Sequence, residues 1–241
     1  MQPFFRAATV ALLLVTSVPA SGGPFEDGIG ALDSGDYQAA MAAFEQDALA
    51  GHVQAMVELA TLYLSGSVGR TDRVAAATWL AKASEGGSVD ALYLYGKLLL
   101  DGITDVPEPK RAVPYLKSAA EARHAAAAYE LGRMSREGIG VQRDPQTAAR
   151  YLRQAAEGQV LEAEHALGTM LAFGEGVPQD LVEGGMWMML AARSGDADVA
   201  SDLDRLLPLL SAEQTAEIER RLREHTDPMT PVIGGDHVHS Q

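Results

Sequence analysis

The sequence predicts an all-α fold, an α-α superhelical solenoid of tandem helix-turn-helix units, and three observations carry that prediction. First, glycine recurs at a fixed step of 36 residues, at Gly66, Gly102, Gly138 and Gly174, with no insertion or deletion between copies. A period of this size marks units too small to bury their own apolar faces, which stack to share one core. Second, apolar columns keep the same step. Ala55/Ala91/Ala127/Ala163, Leu59/Tyr95/Leu131/Leu167 and Leu62/Leu98/Met134/Met170 follow the i, i+4, i+7 spacing of one buried helix face. Third, the column Ala60/Gly96/Gly132/Gly168 puts glycine inside helices, where it costs about 1 kcal/mol against alanine. Close approach of the partner helix is the expected return.

The elements follow in order. Residues 1–20 read as an export leader: Arg6, an apolar run over 7–18, and small Val18 and Ala20 before Ser21. That run is shorter than the roughly 20 apolar residues of a spanning helix. Residues 24–50 form an atypical opening unit, in which Ala39, Ala40, Phe44 and Ala48 keep a second-helix pattern after a short helix. Four full units occupy 51–86, 87–122, 123–158 and 159–194. Each second helix carries Ala76/Ala112/Ala148/Gly184, Leu80/Leu116/Leu152/Met188 and Ala83/Ala119/Ala155/Ala191. Asp72, Asp144 and Asp180 precede these helices as N-caps, and Asp180 with Glu183 has the spacing of a capping box. Unit two departs from this, with Glu108 in the cap column and Pro107, Pro109 and Pro114 nearby, so its second helix is expected to start late or bend. The aromatic column Trp79/Tyr115/Tyr151/Trp187 is assigned to core packing. Residues 195–225 read as capping helices, the last opening at Ser211 with Gln214 three positions on, and 226–241 as a mobile tail.

Composition narrows the setting. The chain carries 19 basic and 33 acidic residues for a net charge of -14, which disfavours nucleic acid and anionic lipid as partners. It has no cysteine, hence no disulfide and no lipidated cysteine after the leader. The expected location is therefore periplasmic or secreted, with no membrane insertion of the mature chain.

Unit three shows the full pattern: Ala127, Leu131-Gly132, Gly138, Asp144, Tyr151-Leu152 and Ala155-Ala156-Glu157-Gly158. These residues resemble the Sel-one-like repeat (SLR) family, relatives of tetratricopeptide repeats with a longer unit. The resemblance implies adaptor and assembly roles, with the first helix of each unit lining a concave face. Columns that vary between units are free for contact, and on that face they include Gln54, Val57, Thr61, Asp90 and Glu162. The expected partner-binding residues are Tyr93, Lys97, Tyr129, Arg133, Arg136, His165, Thr169 and Phe173, and the expected partner is another envelope protein or peptide.

Catalysis finds little support. The chain lacks a Ser-x-x-Lys motif, a Gly-x-Ser-x-Gly elbow, a His-Glu-x-x-His helix and a phosphate-binding loop, and no cofactor or metal is implied. His165 faces the groove with no partner at a recognisable spacing, and His237 with His239 reads as an incidental pair in the tail. The alternatives to a binding scaffold are a cell-wall hydrolase or β-lactam-binding protein, and a peptidoglycan or polysaccharide binder.

Overall fold

Stacking begins from hairpins whose two helices meet at small residues. The computed structural model describes residues 22–226, and helices are its only regular structure there. The leader at 1–20 and the tail beyond Thr226, with His237 and His239, lie outside those residues. The opening hairpin is α1 (Pro24–Asp33) with α2 (Tyr37–Leu49). The four units pair α3 (Val53–Ser65) with α4 (Arg73–Glu85), α5 (Val89–Asp101) with α6 (Pro109–Glu121), α7 (Ala125–Glu137) with α8 (Pro145–Glu157), and α9 (Leu161–Phe173) with α10 (Leu181–Ala191). Then come α11 (Ala197–Leu206) and α12 (Ala212–Thr226). The three sequence columns of the first helices are buried almost without exception and belong to one continuous hydrophobic core.

The glycine column has a definite neighbour. A Cβ at Gly96 would lie 2.8 Å from Leu116 Cγ, and one at Gly132 would lie 2.7 Å from Leu152 Cγ. The leucine of the second helix thus fills the notch left by glycine. In the opening hairpin the loop is shortened from seven residues (66–72) to three (34–36), one helical turn. Gly28 accordingly takes the same role one turn along, and a Cβ there would meet the Phe44 ring at 2.4 Å.

Loop chemistry sets the boundaries. Asp72 accepts from the Ala75 N-H (2.9 Å), Asp144 from Gln146 and Thr147, and Asp180 from Val182 and Glu183, capping α4, α8 and α10. No capping box forms at α10, because the Glu183 carboxylate is drawn off to Arg153 (2.7 Å). A reciprocal box does open α12: Ser211 N-H donates to Gln214 Oε1 (2.9 Å) and Gln214 N-H to Ser211 Oγ (3.2 Å). The second helix of unit two starts on time, since Pro109 occupies its first turn, where the missing N-H costs nothing, and Pro114 sits inside it. The aromatic column packs on the core as expected: Trp187 is buried in it, and Trp79, Tyr115 and Tyr151 are half-buried against it.

The array continues past its fourth unit. Helix α11 begins one period after α9, and its Val199, Leu203 and Leu206 stand one period after Ala163, Leu167 and Met170. Gly195, at φ 73°, continues the turn column of Gly51 and Gly87, where Arg123 and Gln159 also hold positive φ. The segment 195–225 therefore opens with the first helix of a further unit, and α12 covers the exposed end of α10, with Ile218 lying 2.7 Å from a Cβ built at Gly185.

Candidate functional site

The first helices α5, α7, α9 and α11 form a row, with α5 against α7 and α9 against α11 across the unit junctions. At the α5–α7 junction this row is closed by charge pairs. Glu130 on α7 is only 6% exposed, and it binds Arg133 on its own helix (2.9 Å) and Lys97 on α5 (3.6 Å). Lys97 also holds Asp101 at 2.8 Å. Tyr93 stacks on His124 with ring centroids 4.4 Å apart.

The last junction differs. Helix α10 is two residues shorter than its counterparts and ends in a 3-10 turn, Ala192–Ser194, before α11 begins. The result is an open cleft of about 430 Å³ between α7, α9 and α11. Tyr129 and Arg136 of α7 form one wall; Leu161, Glu162, His165 and Thr169 of α9 form the floor; Ser194, Asp196 and Asp202 close the far side. Leu161 is 44% exposed here, whereas its column mates Val53, Val89 and Ala125 are half-buried. His165 Nε2 meets Asp202 Oδ2 at 2.9 Å, and Asp202 also accepts from Arg205 (2.7 Å), whose guanidinium lies 4.4 Å from the centre of the Phe173 ring. Burial raises the Tyr129 hydroxyl above its usual pKa, with Glu162 and Glu130 adding to the effect, so the phenol is a neutral donor at the cleft wall.

Of the eight residues that sequence selects, four line this cleft: Tyr129, Arg136, His165 and Thr169. The other four do not. Tyr93 is taken up by His124, Lys97 and Arg133 by Glu130, and Phe173 by Arg205. All eight are half-buried rather than exposed, and Val57 is core at 5% exposure, because the row of helices packs more tightly than one helix face suggests. His165 is not alone, since Asp202 faces it. Sequence reasoning misses the far wall because it gives the segment after 194 to capping alone; counting one more period, to Gly195, places α11 in the row. Among the described residues no group of acids and histidines is arranged to hold a metal, and no helix is long and apolar enough to cross a membrane.

Helix pairs in strict register, leaving one face of first helices uncovered, define an α-solenoid of the kind that binds other proteins. A family model for the Sel1 repeat matches residues 53–88, 89–124, 125–160 and 161–196, and the chain belongs to the Sel1 repeat family. These repeats generally mediate protein-protein interaction, and the family is typically a non-catalytic scaffold. A protective antigen of uropathogenic Escherichia coli strains that displays an SLR fold is similar, with a TM-score of 0.76 at 24% identity, over 90% of this chain and 50% of that one. This chain thus spans half the length of that antigen. A Sel1 repeat protein from Oxalobacter formigenes gives a TM-score of 0.68 at 22% identity, over 84% of this chain and 85% of that chain. At these identities the likeness establishes the fold. None of the curated proteins matches the chain.

Proposed function

We propose that this protein is an exported scaffold that binds a segment of another envelope protein along the concave face of its repeats, centred on the cleft between α7, α9 and α11. The observation that carries this reading is the break in the repeat at that point. The α5–α7 junction spends its polar groups on one another, whereas the cleft across α7, α9 and α11 leaves, beside the His165–Asp202 pair, a half-apolar, half-polar recess with Leu161 uncovered. A recess of about 430 Å³ takes one or two large side chains, which is the size of an interface anchor. Tyr129 supplies wide contact area at low ordering cost, and Arg136 and His165 supply directional donors. Export and the envelope setting rest on the leader pattern at 1–20.

Site-specific photocrosslinking tests the reading. A crosslinker placed at Thr169, on the cleft floor, is expected to trap a protein partner in cells of the source organism, and one placed at exposed Val74 on α4 is expected to trap none. Equal yields from both positions, or no adduct from Thr169, would overturn the proposal.

A further inference from the structure

A second cleft, of about 470 Å³, lies on another side of α7, where unit three packs against the end of α6. Its floor is Leu131 and Ser135, and its rim carries three cations, Lys117, Arg143 and Arg150, with one carboxylate, Asp144. Such a cluster is out of character for a chain with 33 acidic and 19 basic residues.

The carboxylate is already committed. Asp144 Oδ1 accepts from the N-H groups of Gln146 and Thr147, and Oδ2 accepts from the Thr147 hydroxyl (2.6 Å). These bonds, the Thr147 hydroxyl foremost, hold its pKa below the usual carboxylate value. Arg150 donates its hydrogen bond to the Thr147 hydroxyl (2.9 Å), and its charge adds a smaller part to the lowering at Asp144. Neither Lys117, Arg143 nor Arg150 comes within salt-bridge distance of a carboxylate among the described residues.

Comparing units separates what the fold needs from what it does not. Arg143 Nε donates to the Arg136 carbonyl at 3.1 Å, sealing the end of α7. One period later Gln179 does the same job without charge, donating to the Ala172 carbonyl at 2.8 Å. In the other units Thr71 and Pro107 occupy this column. Arg150 stands where the others have Thr78, Pro114 and Met186, and Lys117 where they have Ala81, Arg153 and Met189. The charges at Arg143 and Arg150 are therefore surplus to packing and concentrated in one unit.

We infer that this cleft is a second binding site, which takes an acidic peptide segment, with side-chain carboxylates held by Arg143, Arg150 and Lys117 above the apolar floor. Guanidinium groups match carboxylates with paired N-H donors, and the open rim beside Leu131 and Val141 suits a chain rather than an isolated ion. The inference does not depend on the first cleft, since no residue is shared between the two.

The test is a titration of the isotopically labelled protein with an N-acetylated hexaglutamate peptide, followed by amide NMR shifts, with inorganic phosphate as a parallel probe. Shifts are expected to cluster at the end of α6, the 138–144 loop and the start of α8, and to weaken as salt rises. The double variant Arg143→Gln, Arg150→Thr, which borrows residues from the protein's own columns, is expected to keep the fold and lower the affinity at least about tenfold. Shifts scattered over the surface, an affinity unchanged in the variant, or a response to phosphate without one to the peptide would each overturn the assignment.

Discussion

Glu130 and Glu164 sit on successive first helices, both almost out of solvent at 6% and 5% exposure, yet their surroundings are opposite. Glu130 is held between Arg133 and Lys97 at an internal junction. Glu164 belongs to the last full unit, and its Oε2 has no hydrogen-bond partner; burial raises its pKa, opposed only by Arg193. An unsatisfied buried carboxylate is a cost the array carries at the end where the cleft opens, and not in its middle. Departures from packing logic of this kind tend to gather where a protein works.

The two units also differ in how closely their helices cross. At Gly132 the nearest obstacle is the Leu152 side chain, with Leu152 N at 3.2 Å. At Gly168 a Cβ would meet backbone as well, Met188 N at 2.9 Å and Gly184 O at 3.0 Å, and at Gly184 it would lie 2.5 Å from Ala172 N. The largest expected effect follows from this. Gly132→Leu should destabilise by about 3 kcal/mol, as a whole side chain is forced into a filled notch. With alanine the units should separate: Gly168→Ala is expected to cost about 2 kcal/mol and Gly132→Ala less than about 1 kcal/mol, because Leu152 can yield and helix propensity improves. Denaturant midpoints measure both, and equal losses would erase the distinction.

The carboxylates should respond with opposite signs. Glu130→Gln removes the charge that binds Lys97 and Arg133, and since those cations are about one-third exposed a loss of about 1 kcal/mol is expected. Glu164→Leu, which copies Leu92 from the same column, should gain about 1 kcal/mol at neutral pH. The gain should shrink on acidification, because Glu164 has a raised folded pKa and its protonated form suits the buried site. Thermal melts at two pH values check the pair.

A smaller effect concerns His124, which caps α7 by accepting the Ala127 N-H at Nδ1 (3.2 Å) and must be neutral there to do so. Burial lowers its pKa from 6.5, with Asp90 opposing. The unfolded chain therefore binds the proton first, and stability is full above about pH 6.5 and falls as pH drops through that value toward the folded one. His124→Ser, which takes the residue of the same column in unit two, should flatten this slope, since Ser88 there caps α5 by accepting from Ala91 N-H (3.1 Å). Unfolding free energies at about pH 7.5 and about pH 5 decide it. Smallest of all, Arg123→Gly and Gln159→Gly relieve side chains held at φ 66° and 62°, and each should add up to about 1 kcal/mol.

Much of the fold is legible in the sequence because the period is rigid: one step of 36 residues fixes the helix pairs, the cap aspartates and the buried stripe. The site is legible only in part. Tyr129, Arg136, His165 and Thr169 are recoverable because they vary on a face where packing columns do not. Asp202 and Ser194 act across a junction whose 3-10 turn alters the path of the chain: the column reaching Gly195 places α11 in the row, but the geometry that brings Asp202 to His165 is set by that turn. Glu130 and Glu164 occupy different columns with unlike neighbours, so their opposite environments arise from tertiary packing alone.

The central claim is that a partner docks where the repeat stops repeating. Thr169→Trp fills the floor of the cleft between α7, α9 and α11 without touching the Leu167 or Met170 core positions. Measured against the partner identified by crosslinking, this variant should bind at least about tenfold more weakly at an unchanged melting temperature. An affinity equal to that of the parent would show that the partner sits elsewhere.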